Sequence, residues 1–162
     1  MAHAFAQSAV LMEKGNVFEA FELGRVFEHH WGRTLRQTEG TLFSTLTLHF
    51  NPLHFNLEYA RALGHPETPI NPMLVFSVVF GLSVEDLSEI GGAFLGVDDL
   101  VYGAQVYPDD TLTARSTVVK LRDSGSNPGM GIASWHTEGF NQREERVISF
   151  VRTNMVPRRK TT

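Results

Sequence analysis

The chain has 162 residues, no cysteine and a formal net charge of −4. That length suits one domain with its own core, and 42% hydrophobic against 20% charged residues is a folded composition, not a disordered one. The missing cysteines exclude a disulfide framework, a thiolate metal site and a cysteine nucleophile, and the acidic balance argues against a broad nucleic-acid surface.

In chain order, Ala2–Met12 is mildly apolar but carries His3 and Gln7 and lacks a basic start. It reads as part of an N-terminal tail or docking segment over residues 1–20, not as a signal peptide. Arg25–Leu35 reads as one or two short strands anchored by Val26, Phe27, Trp31 and Leu35. A helix is predicted over Thr38–Phe50, capped by Thr38, with Leu42, Thr45, Leu46 and His49 at helical spacing and Asn51-Pro52 ending it. Asn56–Leu63 reads as a short helix ended by Gly64.

A further helix starts from Asn71 as cap with Pro72 at its first position, runs to about Ile90 and stops at Gly91-Gly92. Its run Met73–Leu82 is apolar on nearly every side, the pattern of a fully buried helix. Long strands rich in Val, Thr, Ile and Phe follow at Ala93–Tyr102, Thr111–Arg122, Ile132–Asn141 and Val147–Val156. The turn-forming run Asp123–Gly131 and the charged turn Gln142–Arg146 connect them. Helices followed by consecutive strands define an α+β fold, a long antiparallel sheet wrapped around one central apolar helix. Pro157–Thr162 reads as a solvated tail, with residues 160–162 outside the domain.

The chemistry concentrates in His49-Phe50-Asn51-Pro52-Leu53-His54-Phe55-Asn56. This segment resembles the signature of the MaoC-like, (R)-specific enoyl-thioester hydratases, Asp-x-Asn-Pro-Leu/Ile-His-x-Asp/Asn, with Asn51, Pro52, Leu53, His54 and Asn56 matching in place. Asn71-Pro72-Met73-Leu74 falls where that family's central helix begins. Leu95-Gly96 opens the next strand as in the mesaconyl- and itaconyl-type branch, Asp109–Leu112 resembles a Gly-Asp-Thr-Leu turn, and Arg152–Arg159 resembles the C-terminal strand. The likeness runs from Phe21 to Arg159 and implies a single hotdog domain over residues 21–159. It also implies an acyl-CoA or acyl-carrier-protein substrate and no cofactor beyond the CoA or phosphopantetheine of that substrate. A homodimer or higher homo-oligomer in the cytoplasm, with no nucleic-acid or membrane partner, completes the expectation.

Two positions depart from the pattern. His49 stands at the family's Asp, and Pro72 stands where many hydratases have Gly. Hydration of an enoyl thioester needs a base for water, an acid for the α-carbon and a stabiliser for charge on the thioester oxygen. A neutral imidazole suits the first, and a helix start suits the last. The resemblance assigns His54 as principal acid/base, His49 as its assistant and Asn51 as the residue orienting a neighbour or the water. The oxyanion falls to the helix start, where Pro72 has no N–H, leaving Asn71, the Met73 N–H or another group at that helix start as donor. Phe50, Phe55 and Phe76 are candidate walls for an acyl chain.

No bound metal is expected, because the 49/54 spacing is not the same-face pair of a helical zinc site and His29 and His30 point to opposite faces of a strand. Arg143, Arg146, Arg152, Arg158 and Arg159 are expected at the solvated surface. The alternatives are a hotdog thioesterase, an enzyme adding an amine to the enoyl thioester, or a non-catalytic acyl-thioester binding subunit.

Overall fold

Two short strands, β1 (Val26–Glu28) and β2 (Arg33–Thr34), precede helix α1 (Gln37–Leu46) in the computed structural model, which describes residues 15–159. Ala2–Met12 and residues 160–162, read above as tails, lie outside the described residues. Of the anchors expected between Arg25 and Leu35, Phe27 and Leu35 are buried, whereas Val26 and Trp31 are exposed. Helix α1 starts earlier than its sequence pattern and also ends sooner, at Leu46 instead of Phe50. Its cap is Arg36, not Thr38, and the Glu39 carboxylate accepts the Arg36 N–H at 3.0 Å. The helix buries only Gly40 and Ser44, so Leu42 and Leu46 lie on an open face.

Helix α2 (Leu57–Ala62) starts where Asn56 accepts the Tyr59 N–H and ends before Gly64 at φ +89°. Helix α3 (Pro72–Leu82) begins at Asn71 as the sequence predicts, but does not continue unbroken to Ile90. Ser83 interrupts it, its hydroxyl donating to the Phe80 carbonyl at 2.7 Å, and a single turn, α4 (Val84–Leu87), follows. A serine bonded to the preceding turn competes with the helix ladder in this way. Gly92 is then required by a close approach: at φ +110° its missing Cβ would stand 2.0 Å from the Met155 carbonyl oxygen.

The rest is sheet: β3 (Phe94–Tyr102), β4 (Thr111–Asp123), β5 (Met130–Phe140) and β6 (Arg146–Pro157). All pairings are antiparallel in the order β1-β4-β5-β6-β3, with β2 pairing separately on β4. β4 has the half-buried alternation, turning Leu112, Ala114, Ser116 and Val118 inward. Helix α3 lies on this concave face and buries Leu74, Val75, Val78 and Val79. Burial of side chains this size contributes roughly 1.5–3 kcal/mol each. Its opposite side is not covered by the described residues: Met73 and Ser77 are exposed, and Phe76 and Phe80 are only half-buried. The sequence expectation of a helix buried all round is therefore met on one face only. β3 is an edge strand with Phe94, Leu95, Val101 and Tyr102 open.

One polar network ties the sheet to α4, and a second ties two of the strand connections together. Buried His29 donates from Nδ1 to Asp86 at 2.6 Å, and its Nε2 lies 2.8 Å from the Ser116 hydroxyl. Burial holds the His29 pKa below its ordinary value, against the pull of Asp86. With Nδ1–H directed to Asp86, Nε2 accepts the Ser116 hydroxyl hydrogen bond. Asp110 sits under the β3–β4 connection and accepts from Tyr107 N–H, Gln142 and Arg143. Burial raises its pKa, but these donors outweigh burial and leave the carboxyl below its ordinary 3.8.

A depressed carboxyl pKa stabilises the fold above the unfolded value and ceases to do so as the pH falls through the folded one. We expect Asp110→Ala to cost about 1–3 kcal/mol at neutral pH, since the Tyr107 N–H, Gln142 and Arg143 lose the buried acceptor they share. The gap from the parent chain should narrow in acid, below 3.8. Urea unfolding at both pH values checks this; a gap that widens in acid would contradict it.

Candidate active site

The end of α1 sets the position of His49. Leu48 adopts φ +58°, and the chain turns back so that Leu48 N–H donates to the Thr45 carbonyl and His49 N–H to the Ser44 carbonyl, at 3.2 and 2.8 Å. This is the Schellman closure of a helix, with leucine where glycine is usual. The sequence placed His49 on the last helical turn; it stands just beyond the helix, held by this closure. A β-carbon in the left-handed region costs roughly 1–2 kcal/mol, and glycine there regains part of that against its larger unfolded-state entropy. Leu48→Gly is expected to raise the melting temperature by about 2 °C while loosening His49. A fall in melting temperature would contradict the strained closure.

The Asn-Pro-Leu-His segment forms the next turn. Asn51 Oδ1 accepts Leu53 N–H at 3.0 Å, Pro52 opens a single 3₁₀ turn over Pro52–His54, and His54 N–H donates to the Asn51 carbonyl at 3.0 Å. Asn51 thus shapes the turn that carries His54. Buried His54 donates from Nδ1 to the Pro69 carbonyl at 2.9 Å. A carbonyl oxygen can only accept, so the neutral ring keeps its lone pair on Nε2. His49 is the opposite case. Its Nδ1 lies 2.8 Å from Asn71 Nδ2, and an amide nitrogen can only donate, so the His49 proton resides on Nε2. The two rings stand 5.7 Å apart at 57°. Across that gap, the His54 tautomer presents an acceptor and the His49 tautomer a donor.

The start of α3 does not offer the donors expected of it. Asn71 is fully buried, its Oδ1 accepts Met73 N–H at 2.9 Å, and its nitrogen also donates to Ser44 Oγ at 2.9 Å. The N–H groups of Leu74 and Val75 both go to the Asn71 carbonyl. Asn71 and the Met73 N–H are therefore engaged inside the chain.

A recess of about 290 Å³ lies beside His49, lined also by Phe43, Thr47, Leu48 and Met73. A second, of about 350 Å³, is lined by Phe55, Leu57, Gln37 and Thr68 among others. The Phe50 and Phe55 rings stand 6.2 Å apart and are exposed, whereas Phe76 packs edge-on to Phe150 in the core at 5.1 Å.

Sequence reasoning missed Ser44, which anchors Asn71, and Gln37, whose Nε2 donates to the His54 carbonyl at 3.4 Å. Neither residue type signals such a role at its position. It also misjudged Arg152, which is fully buried instead of solvated. Its guanidinium donates to Asn154, Ser83 and Ser88, faces the Phe80 ring at 4.2 Å, and is pushed down to about 10 by burial. The Asp86–His29–Ser116 line has the order of an acyl-transfer triad, but Ser116 is wholly buried and beyond the reach of a carbonyl.

An antiparallel sheet cupping one apolar helix, with the Asn-Pro-Leu-His turn aimed at the helix start, defines a MaoC-like hotdog domain. The chain belongs to the mesaconyl-CoA hydratase family, whose profile matches residues 2–162. It is 38% identical over 149 residues to the mesaconyl-CoA hydratase of Haloarcula hispanica, a match covering 91% of this chain and 42% of that protein. A MaoC domain protein from Chloroflexus aurantiacus superimposes with a TM-score of 0.87 at 34% identity, over 94% of this chain and 43% of that one. A Mycobacterium tuberculosis protein with a double hotdog fold gives 0.80 at 25% identity, over 91% of this chain and 46% of that one. The chain thus spans less than half the length of the curated hydratase. No helix among the described residues is long and apolar enough to cross a membrane.

Proposed function

We propose that this chain catalyses the reversible hydration and dehydration of an enoyl thioester carried on CoA, with His54 as its acid/base. The observation that carries the reading is the His54 Nδ1 bond to the Pro69 carbonyl, which leaves an unprotonated Nε2. In the addition direction, His54 Nε2 takes a proton from water as the water oxygen bonds to the β-carbon. The same nitrogen then returns that proton to the α-carbon. One base working on both sides of the double bond needs no second titrating group. The mesaconyl-CoA hydratase relative supports a CoA thioester with a short, branched acyl group as substrate.

The test is to incubate the protein with crotonyl-CoA and mesaconyl-CoA while following the enoyl absorbance and free thiol together. Loss of the enoyl band without thiol release is the expected result. Thiol release would make the protein a thioesterase, and loss of the band only on addition of an amine would make it a conjugate-addition enzyme. Saturable binding without turnover would make it a binding subunit.

Assembly follows from the same surfaces. The open edge of β3 and the uncovered side of α3 place Phe94, Leu95, Tyr102 and Met73 in solvent, an arrangement that favours pairing. A second copy of this chain is the proposed occupant, in keeping with relatives more than twice its length. Sedimentation is expected to give a dimer; a monomer at micromolar concentration would contradict this.

A further inference from the structure

We infer that His49, through Nε2–H, donates the hydrogen bond that stabilises the thioester oxygen, and that Asn71 is the positioning residue that makes His49 a donor. The inference rests on the hydration reading above and changes the role of the second histidine from assisting acid/base to fixed electrophile.

Elimination and tautomer chemistry both lead here. Pro72 has no N–H, and the next three N–H groups of α3 are taken by Asn71, two by its carbonyl and one by its side chain. The helix start therefore has no free backbone donor for an oxyanion among the described residues. Beside that helix start, His49 presents a directed donor at Nε2. Its tautomer is set from behind: the Met73 N–H fixes which end of the Asn71 amide is oxygen, so the amide nitrogen must face His49 Nδ1. Ser44 takes the other amide proton and holds the group in place. Asn71 is fully buried and cannot itself touch a ligand, whereas His49 is exposed at the rim of a recess and faces the His54 ring.

The electrons and protons balance with His49 unchanged. The water oxygen bonds to the β-carbon while its proton goes to His54 Nε2. The π electrons move toward the thioester oxygen as an enolate, and His49 Nε2–H bonds that oxygen without transferring its proton. The enolate then collapses, and the α-carbon takes the proton from His54. A neutral imidazole whose proton is locked on one nitrogen is well suited to this, because it stabilises charge without competing for protons.

The experiment separates the two claims. A cinnamoyl-CoA probe is bound to the inactive variant His54→Asn, and the absorbance band of its conjugated thioester is compared free and bound. A hydrogen bond to the carbonyl oxygen polarises that chromophore, so a red shift is expected. Adding His49→Phe should abolish the shift, while adding His49→Gln, which keeps an amide donor, should retain part of it. Asn71→Asp preserves the cap on α3, since Asn and Asp cap equally well. It replaces the amide donor with an acceptor and draws the His49 proton to Nδ1. The shift should be lost, and in the otherwise native chain kcat should fall ~10²-fold with KM little changed. A red shift that survives His49→Phe would overturn the inference while leaving hydration standing. Failure of the native chain to consume the enoyl band would remove the hydration reading itself.

Discussion

His54→Ala is expected to lower kcat for enoyl-CoA hydration by ~10³-fold or more, the range general acid–base catalysis usually supplies. That corresponds to about 4 kcal/mol of transition-state stabilisation. The imidazole makes a structural bond as well as having the proposed chemical role, and the two can be separated. Its Nδ1–H satisfies the buried Pro69 carbonyl, so alanine also removes a structural bond worth about 1 kcal/mol. His54→Asn keeps a donor in the side chain but has no group that can carry a proton to and from carbon. It should fold more stably than the alanine variant and be equally inactive. Stopped-flow and steady-state rates on the two proteins, with urea unfolding beside them, distinguish a chemical role from a structural one. Substantial activity in His54→Asn would contradict the assignment.

The second large effect concerns stability. Arg152 carries a charge into the interior, with Asn154, Ser83 and Ser88 as neutral partners and the Phe80 ring against its plane. Arg152→Ala removes this packing as well as the donors, and a cost of about 3–5 kcal/mol is expected, in the range of large cavities. Arg152→Met restores most of the volume and eliminates the buried charge. Ser83 keeps its bond to the Phe80 carbonyl in either variant. Exchanging a buried charge for apolar bulk is often near neutral, so methionine should recover more than half the alanine loss. Equal losses would mean that the charge, and not the packing, holds α4 to β6.

The sheet was legible because its strands are long, and their Val-, Thr- and Phe-rich alternation has only one periodicity. The start of α3 was legible because Asn71-Pro72 is a cap followed by the one residue that needs no hydrogen at that place. The end of α1 was not, because the left-handed residue that closes it is Leu48 and carries none of the glycine signal. The break at Ser83 and the burial of Arg152 are one event seen from two elements. Neither residue announces it, since a serine inside a helix and an arginine in a strand are ordinary until the fold brings them within 2.9 Å. In the site, the motif located His49 and His54. The roles of Asn71 and Ser44 depend on a contact between residues 27 positions apart and emerge only in three dimensions. Pro72 marked in the sequence that the usual backbone donor was missing, but only the geometry showed that Met73, Leu74 and Val75 are also engaged.

His49 and His54 are expected to face each other in opposite tautomers. Nitrogen-15 NMR of the imidazole rings near neutral pH reads this directly, with His49→Gln and His54→Asn providing the assignments. The expected result is a protonated Nδ1 and a bare Nε2 on His54, and a bare Nδ1 and a protonated Nε2 on His49. The same tautomer on both rings, or a proton on His54 Nε2 in the resting protein, would contradict it.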